Sequence, residues 1–438
     1  MSHVDPDSLR ALADSCTTFD AAMSQPLPRA LSIWEITSWI LPMAPEHLRR
    51  VLAAEPALPQ GMAGAEGGTR WFSTADLGAL RQHFATGPRK ARYLAPVLGT
   101  KAPVVALTGP QGGQGRSTSL LHLATAAALS GYRILVIDGD PAGRLAHSLQ
   151  VAPSGQGTAV VGATVLGQDN GVLALIAKAA ALHLRRLNAA RLDRGEPPVA
   201  MDATLGATLD LAAGDLIRPS VWPGLDVLMA GPGLMQADLQ IGSWRQAQRG
   251  WRPWRALAEA LESEGLRQRY DLILCDTPRG LGPLALSILA SADVLLAPLA
   301  LRGNGLALMA AGLRGLARAM TTLQDEDQML ARALGQPAMA FGWQRLMVLP
   351  TRAGPDAPQR MAKYAAKLPH ALLPVPLPEV QDVANGTAAQ FYDLDYRDVG
   401  RLAYAPLRQA SDAAWRCVAD GLTGLWPQDV PAQATLPL

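Results

Sequence analysis

Cysteine is nearly missing from this sequence. Its three residues, Cys16, Cys275 and Cys417, are too scattered among 438 positions for a disulfide framework or a metal-ligand spacing. A reducing, cytosolic setting is expected. Net charge is almost missing too: 39 Lys and Arg against 37 Asp and Glu leave +2, so any nucleic-acid contact has to come from a local patch. No uninterrupted apolar stretch is long enough for a membrane span. The most apolar run, Leu281 to Leu301, is broken by Pro283, Asp293 and Pro298 and suits a helix followed by a strand. The start, MSHVDPDSLRALADSC, carries acids where a signal peptide has a basic region, so no export signal is expected. No repeat at solenoid spacing is present. What the chain does have is a 49% hydrophobic and 17% charged composition, enough apolar surface to offset chain entropy, which excludes wholesale disorder. At roughly 150 residues per domain its length predicts two or three domains, or one large domain with an appendage.

From about residue 30 the pattern predicts a small helical module. Ser32-Ile-Trp-Glu35 has the form of a capping box opening a helix to about Ile40, and Pro45 suits the first residue of a second helix, PEHLRRVLAAE. A Gly-rich loop, Gly61 to Gly68, leads through Arg70-Trp71-Phe72 to Ser73, a cap for a third helix, TADLGALRQHF. Helix-turn-helix, wing, helix is the coarse reading, with His47, Arg49 and Arg50 facing DNA and Arg70 on the wing; a plain helical hairpin is the competing one. The basic, Pro- and Gly-broken segment 86–101 marks a domain boundary. This divides the chain into a module at 1–95, a larger domain at 96–425 and a Pro-rich tail at 426–438.

Beyond the boundary, apolar runs recur as APVVALT (102–108), YRILVID (132–138), GLDVLMAG (224–231), YDLILCD (270–276), ADVLLAPL (292–299) and RLMVLP (345–350), with helical patterns between them. The alternation predicts an α/β fold, a largely parallel sheet flanked by helices. ALIAKAAALHLRRLNAARLDR reads as an amphipathic helix with Arg185, Arg186, Arg191 and Arg194 exposed. Cys275, in a strand, and His122, on a helix, read as packing residues.

The chemistry sits at three strand ends. After APVVALT comes Gly109-Pro110-Gln111-Gly112-Gly113-Gln114-Gly115-Arg116-Ser117-Thr118 and then a helical pattern. Strand, glycine turn and helix start make a phosphate nest, because converging amides and the helix dipole both favour an anion. An ordinary βα turn is the alternative. In a P-loop a Lys precedes the Ser/Thr whose hydroxyl binds magnesium; here Arg116 takes the Lys position and Ser117 keeps the hydroxyl. A second strand ends in Asp138-Gly139-Asp140 and a third in Cys275-Asp276-Thr277, which puts carboxylates at the carboxyl edge of the sheet, where a metal and an attacking water would sit.

These three segments, QGGQGRST, IDGDPAG and YDLILCDTPRGLGPLALSIL, resemble in order the deviant Walker A, Walker A′ and Walker B regions of ParA/MinD-type ATPases. Within that family the chain is most similar to larger ParA proteins with an N-terminal DNA-binding module, the RepA branch of plasmid RepABC cassettes. LPTRAGPDAPQRM and AAQFYDLDY add to that likeness, which covers roughly residues 30 to 420 and weakens over 160–205. The resemblance implies a P-loop NTPase-type sheet carrying an all-α winged helix-turn-helix module. It implies phosphates held by Gly112, Gly113, Gly115, Arg116, Ser117 and Thr118, Mg2+ on Ser117 with Asp138 and Asp276 around it, and a hydrolytic water oriented by Asp140. It further implies ATP/ADP as the nucleotide, a sandwich homodimer, nonspecific DNA binding, a centromere-bound ParB/RepB-like partner, cargo segregation at the nucleoid, and operator autorepression.

Two departures stand out. The family's signature Lys, which reaches across the dimer, is Gln111 here. Such trans-acting cations are worth about 10³–10⁵ in rate in phosphoryl transfer. Arg116 in place of Lys puts a broad planar fork in a narrow loop. The expectation is a retained fold with weak or absent hydrolysis, and the alternative is a catalytically inactive DNA-binding regulator or scaffold. In PQRMAKYAAKL, Arg360, Lys363 and Lys367 fall at i, i+3 and i+7 with Arg352 upstream, a candidate face for DNA phosphates. An ordinary solvated helix face is the alternative.

Overall fold

The computed structural model describes residues 30–425 apart from 64–69, 87–92, 110–112, 150, 152–169, 249, 340, 386–387, 389, 395 and 424. The Pro-rich tail, Cys16, Gln111 and Gly112 therefore lie outside the described residues. All six apolar runs form strands: β4 (Val104–Leu107), β5 (Ile134–Asp138), β7 (Leu225–Leu228), β8 (Leu272–Asp276), β9 (Val294–Ala300) and β10 (Arg345–Thr351). With the short β6 (Ile217–Pro219) they make a seven-stranded sheet of order β10-β9-β4-β8-β5-β7-β6, in which only the edge pairing of β6 with β7 is antiparallel. Successive side chains point to opposite faces. Val105, Leu107, Ile134, Val136, Leu272 and Leu274 enter one core, and Val104, Ala106, Leu135, Ile137, Ile273 and Cys275 enter the other. Burial on both faces is why these strands read as continuous apolar runs.

The N-terminal module departs from the all-α expectation. Ser32 and Glu35 do form the capping box, and the chain continues as a π-turn over Ile36–Ile40. Helices α1 (Pro45–Ala54) and α2 (Thr74–Thr86) follow as read. Between and before them, β1 (Leu31–Ser32), β2 (Met62–Ala63) and β3 (Arg70–Phe72) pair antiparallel in the order β1-β3-β2. Along β3 burial rises from exposed Arg70 through half-buried Trp71 to fully buried Phe72. The antiparallel pairing of β3 with β1 and β2 is what contradicts an all-helical module.

The module shares a continuous apolar core with one face of the sheet, from Leu31 and Phe72 to Leu120 and Trp415. That face carries α3 (Arg116–Leu129) and, introduced later in the chain, the long C-terminal helix Arg401–Thr423. Helix α4 (Gly171–Asp193) buries its first turns, Gly171 to Ala177, in the opposite core. Of its arginines, Arg185, Arg186 and Arg194 are exposed, whereas Arg191 is half-buried and pairs with Glu196. Residues 281–301 form a helix, α5 (Pro283–Ser291), and then β9. Among the described residues no helix is long and apolar enough to cross a membrane.

Candidate phosphate-binding site

The parallel strands deliver their carboxyl ends to one edge. Asp138, the last residue of β5, stands in register with Asp276, the last residue of β8. The order differs from a simple neighbouring βαβ unit, because β8 lies between β4 and β5. Asp276 therefore stands nearer the glycine loop than Asp138 does. At the tips the backbones nearly touch: Gly139 N donates to Asp276 O at 3.0 Å, and a Cβ on Gly139 would lie 2.6 Å from that oxygen. Glycine is required there by space, not by its dihedral angles.

The loop after β4 turns through left-handed Gly113 and Gly115, with φ of 82° and 80°, before α3 begins at Arg116. No side chain caps this start, and the first amides of a helix have no intrahelical acceptor, so those of Arg116, Ser117 and Thr118 are suited to an anion. The loop is pinned from two strands. Gln114 Oε1 accepts the Ala300 amide at 3.1 Å, and Thr351 Oγ1 donates to Gln114 O at 3.0 Å. Thr277 Oγ1 ties the β8 tip to Leu107 O at 2.8 Å. Sequence reasoning missed Gln114, Thr277 and Thr351, because nothing in the local pattern says which loop residue meets the ends of β9 and β10.

Arg116 does not project free toward the loop. Its Nε donates to Asp276 Oδ1 at 2.6 Å and a terminal nitrogen donates to Gly109 O at 3.1 Å, with the guanidinium side chain 9% exposed. Ser117 Oγ donates to the other carboxylate oxygen, Asp276 Oδ2, at 2.5 Å. Burial pushes the Asp276 carboxyl above the usual carboxylate range, opposed by Arg116 and Ser117. Asp138 is pushed up to about 8 by burial and by the nearby Asp276. Its Oδ1 accepts the Asp140 amide at 3.0 Å, while its Oδ2 is buried with no hydrogen-bond partner among the described residues. Asp140 is half-buried and turns back on its own loop, accepting the Ala142 amide at 3.1 Å.

Ser117, Asp138 and Asp276 were the groups expected around magnesium. As arranged the Asp276 carboxylate does not present itself to a divalent ion: both of its oxygens are engaged, one of them by a guanidinium. The long planar fork of Arg116 reaches the strand tip, which the sequence alone did not reveal.

The residues expected to face DNA are spread over two surfaces. Arg49, Arg50 and Arg70 are exposed and His47 half-buried; Arg49 pairs with Glu46 at 3.3 Å, Arg50 contacts His47 at 3.4 Å, and Arg70 bonds Gln60. On the other surface Arg360 pairs with Asp356 at 2.5 Å and Arg352 with Glu379 at 3.4 Å. Lys363 and Lys367 are exposed, with no acidic partner among the described residues. The helix there, α6 (Ala357–Ala365), ends before Lys367. Lys367 therefore lies in the following turn, and the expected continuous helical face is one residue shorter. His122 and Cys275 are buried packing residues, as read.

A family profile described as AAA domain matches residues 102–332. The chromosome partitioning protein ParA of Caulobacter vibrioides is 26% identical over 196 residues, 45% of this chain and 55% of that protein. A relative in Sinorhizobium fredii that carries the replication protein A name is 24% identical over 282 residues, 62% of this chain and 57% of its own. The chain thus spans little more than half the length of these curated relatives. Among solved structures, a partition protein superposes with a TM-score of 0.54 at 17% identity, over 96% of this chain and 99% of its own, a likeness of fold.

Proposed function

The chain belongs to the AAA-domain family with ParA/MinD-type relatives, and from that premise we propose that it is a nucleotide-switched DNA-partitioning protein. One observation carries the reading: the uncapped start of α3 is tied through Arg116 and Ser117 to Asp276, which stands in register with Asp138 at the adjoining strand tip. Under this reading the loop at 109–118, with Gln111 and Gly112, holds the phosphates of ATP or ADP, and the 96–425 domain switches between states as the nucleotide changes. Nucleotide would favour a homodimer whose basic residues contact DNA phosphates without regard to sequence, from Lys363 and Lys367 with support from Arg352 and Arg360. The 1–95 module, through Arg49, Arg50 and Arg70, would read an operator. A centromere-bound ParB/RepB-like protein is the partner expected to stimulate release, and the setting is the cytoplasm, at the nucleoid.

Hydrolysis is proposed to be weak. The resemblance gives Asp140 the task of orienting a water, but Gln111 carries no charge and Arg116 is bonded to Asp276. That bond also favours the second reading, a nucleotide-binding or nucleotide-free regulator with no useful turnover. The test is anisotropy of a random-sequence duplex titrated with the full chain, alone and with ATP or ADP, alongside phosphate release. The switch predicts that ATP strengthens DNA binding by about fivefold or more, a coupling of ordinary size. Equal DNA affinity with and without nucleotide contradicts it, and phosphate release at rates ordinary for the relatives contradicts the weak-hydrolysis clause alone.

A further inference from the structure

The carboxylate at the tip of β8 already has its cation. In P-loop chemistry the Ser/Thr hydroxyl and an acidic strand tip face a divalent ion that neutralises the phosphates and bridges their oxygens. Here the fully buried Asp276 receives Arg116 on one oxygen and Ser117 on the other, and Arg116 also reaches Gly109 O. A guanidinium stays charged at any working pH and carries five N–H donors. Asp276 and Gly109 use two, which leaves three for phosphate oxygens in the loop that leads into Arg116.

We propose that Arg116 is a tethered cation standing in for the divalent ion, so that this site binds nucleoside di- and triphosphates without requiring a metal. The proposal rests on the nucleotide-binding reading above and adds the regulation of that site. Paired with Asp276, Arg116 cancels the carboxylate's repulsion toward incoming phosphates, the first task of the metal. Its planar fork neither presents an octahedral set of positions nor polarises a bound water, the remaining tasks. Binding is thereby separated from hydrolysis, and occupancy follows nucleotide concentration rather than turnover.

The experiment is a calorimetric titration of the full chain with ADP and with ATP, in excess magnesium chloride and in EDTA, for the wild type and Arg116→Lys. The wild type is expected to bind with dissociation constants agreeing within about twofold in the two buffers, while Arg116→Lys gains about tenfold or more from magnesium. A wild-type affinity that rises about tenfold or more with magnesium overturns the proposal while leaving nucleotide binding intact. Absence of binding in both buffers overturns the nucleotide reading itself, and this inference with it. The wild-type comparison decides the matter even where Arg116→Lys does not fold. A second readout needs no nucleotide: Mn2+ titrated into the wild-type chain and followed by electron paramagnetic resonance is expected to find no site near the loop. A bound Mn2+ lost on Asp276→Asn overturns the proposal.

Discussion

The two ends of α3 are each held by a buried arginine, and the two arginines are answered differently. At the amino end Arg116 sits against the positive pole of the helix dipole and is balanced by the Asp276 carboxylate. At the carboxyl end Arg81, from α2, donates to the carbonyls of Leu129, Ser130, Ile40 and Tyr93, with no carboxylate among those bonds. Burial lowers its pKa to about 10, which still leaves it charged at neutral pH. A cation at a carboxyl end is favoured by the dipole and satisfies carbonyls that lack amide partners, so Arg81 joins module to sheet as a cap. A cation at the amino end is disfavoured, and its presence there points to a ligand or counter-charge. One end is structural cement; the other is the candidate site.

The sharpest way to break this contrast is to remove each arginine in turn. Arg116→Ala leaves a fully buried carboxylate with only Ser117, and is expected to cost about 3–5 kcal/mol in denaturant unfolding. Adding Asp276→Asn to it is expected to recover much of that loss, since the uncompensated charge is then gone; an equal loss in the double variant means that the pair does not act as a unit. Arg81→Met abandons buried carbonyls without leaving an uncompensated charge, with an expected cost of about 3 kcal/mol from groups worth roughly 1–3 kcal/mol each. If Arg81→Met proves the more costly of the two, the assignment of roles is reversed.

Between the ends, His122 tests whether the middle of α3 is inert. It is buried, stacks on Phe391 at 3.7 Å and accepts the Phe391 amide at 3.2 Å, and burial lowers its pKa to about 3. Below its unfolded value near 6.5 the unfolded chain takes up a proton that the folded one refuses. The stability gained from keeping His122 neutral is therefore complete above about pH 6.5 and is lost as pH falls toward about 3. Unfolding at pH 7 and pH 5 is expected to show wild type losing about 1–2 kcal/mol more than His122→Gln across that interval. The smallest effect on stability belongs to the exposed lysines. Lys363→Ala with Lys367→Ala is expected to change stability by less than about 0.5 kcal/mol. It should also flatten the logarithmic salt dependence of DNA binding by about two phosphate contacts. Arg360→Ala, whose charge is already met by Asp356, should flatten it less; equal slopes in all variants remove this surface from the DNA reading.

What was legible in the sequence follows from the same physics. Strands buried on both faces advertise themselves as apolar runs, and the three strand ends of the candidate site were readable because glycine and aspartate interrupt those runs abruptly. The edge strand β6 was missed because Ile217-Arg218-Pro219 is short and ends in Pro. The three-stranded sheet of the module was missed because β1 and β2 have two residues each and show no periodicity. The placement of β8 between β4 and β5 is a matter of topology, and the closure of Arg116 onto Asp276 bridges 160 positions of sequence. Neither leaves a local trace. Gly139 alone among the missed contacts carried a hint, a glycine between two acids at a strand end.

The central claim is that the loop opening α3 cradles phosphate while Arg116 remains on Asp276. The most direct measurement is a crystal structure of the full chain with ADP and magnesium present. The account predicts the terminal phosphate against the amides of Gly115 to Ser117, with Arg116 still bonded to Asp276. A nucleotide lodged elsewhere on the molecule, or a metal ion parting the arginine from the aspartate, would contradict it.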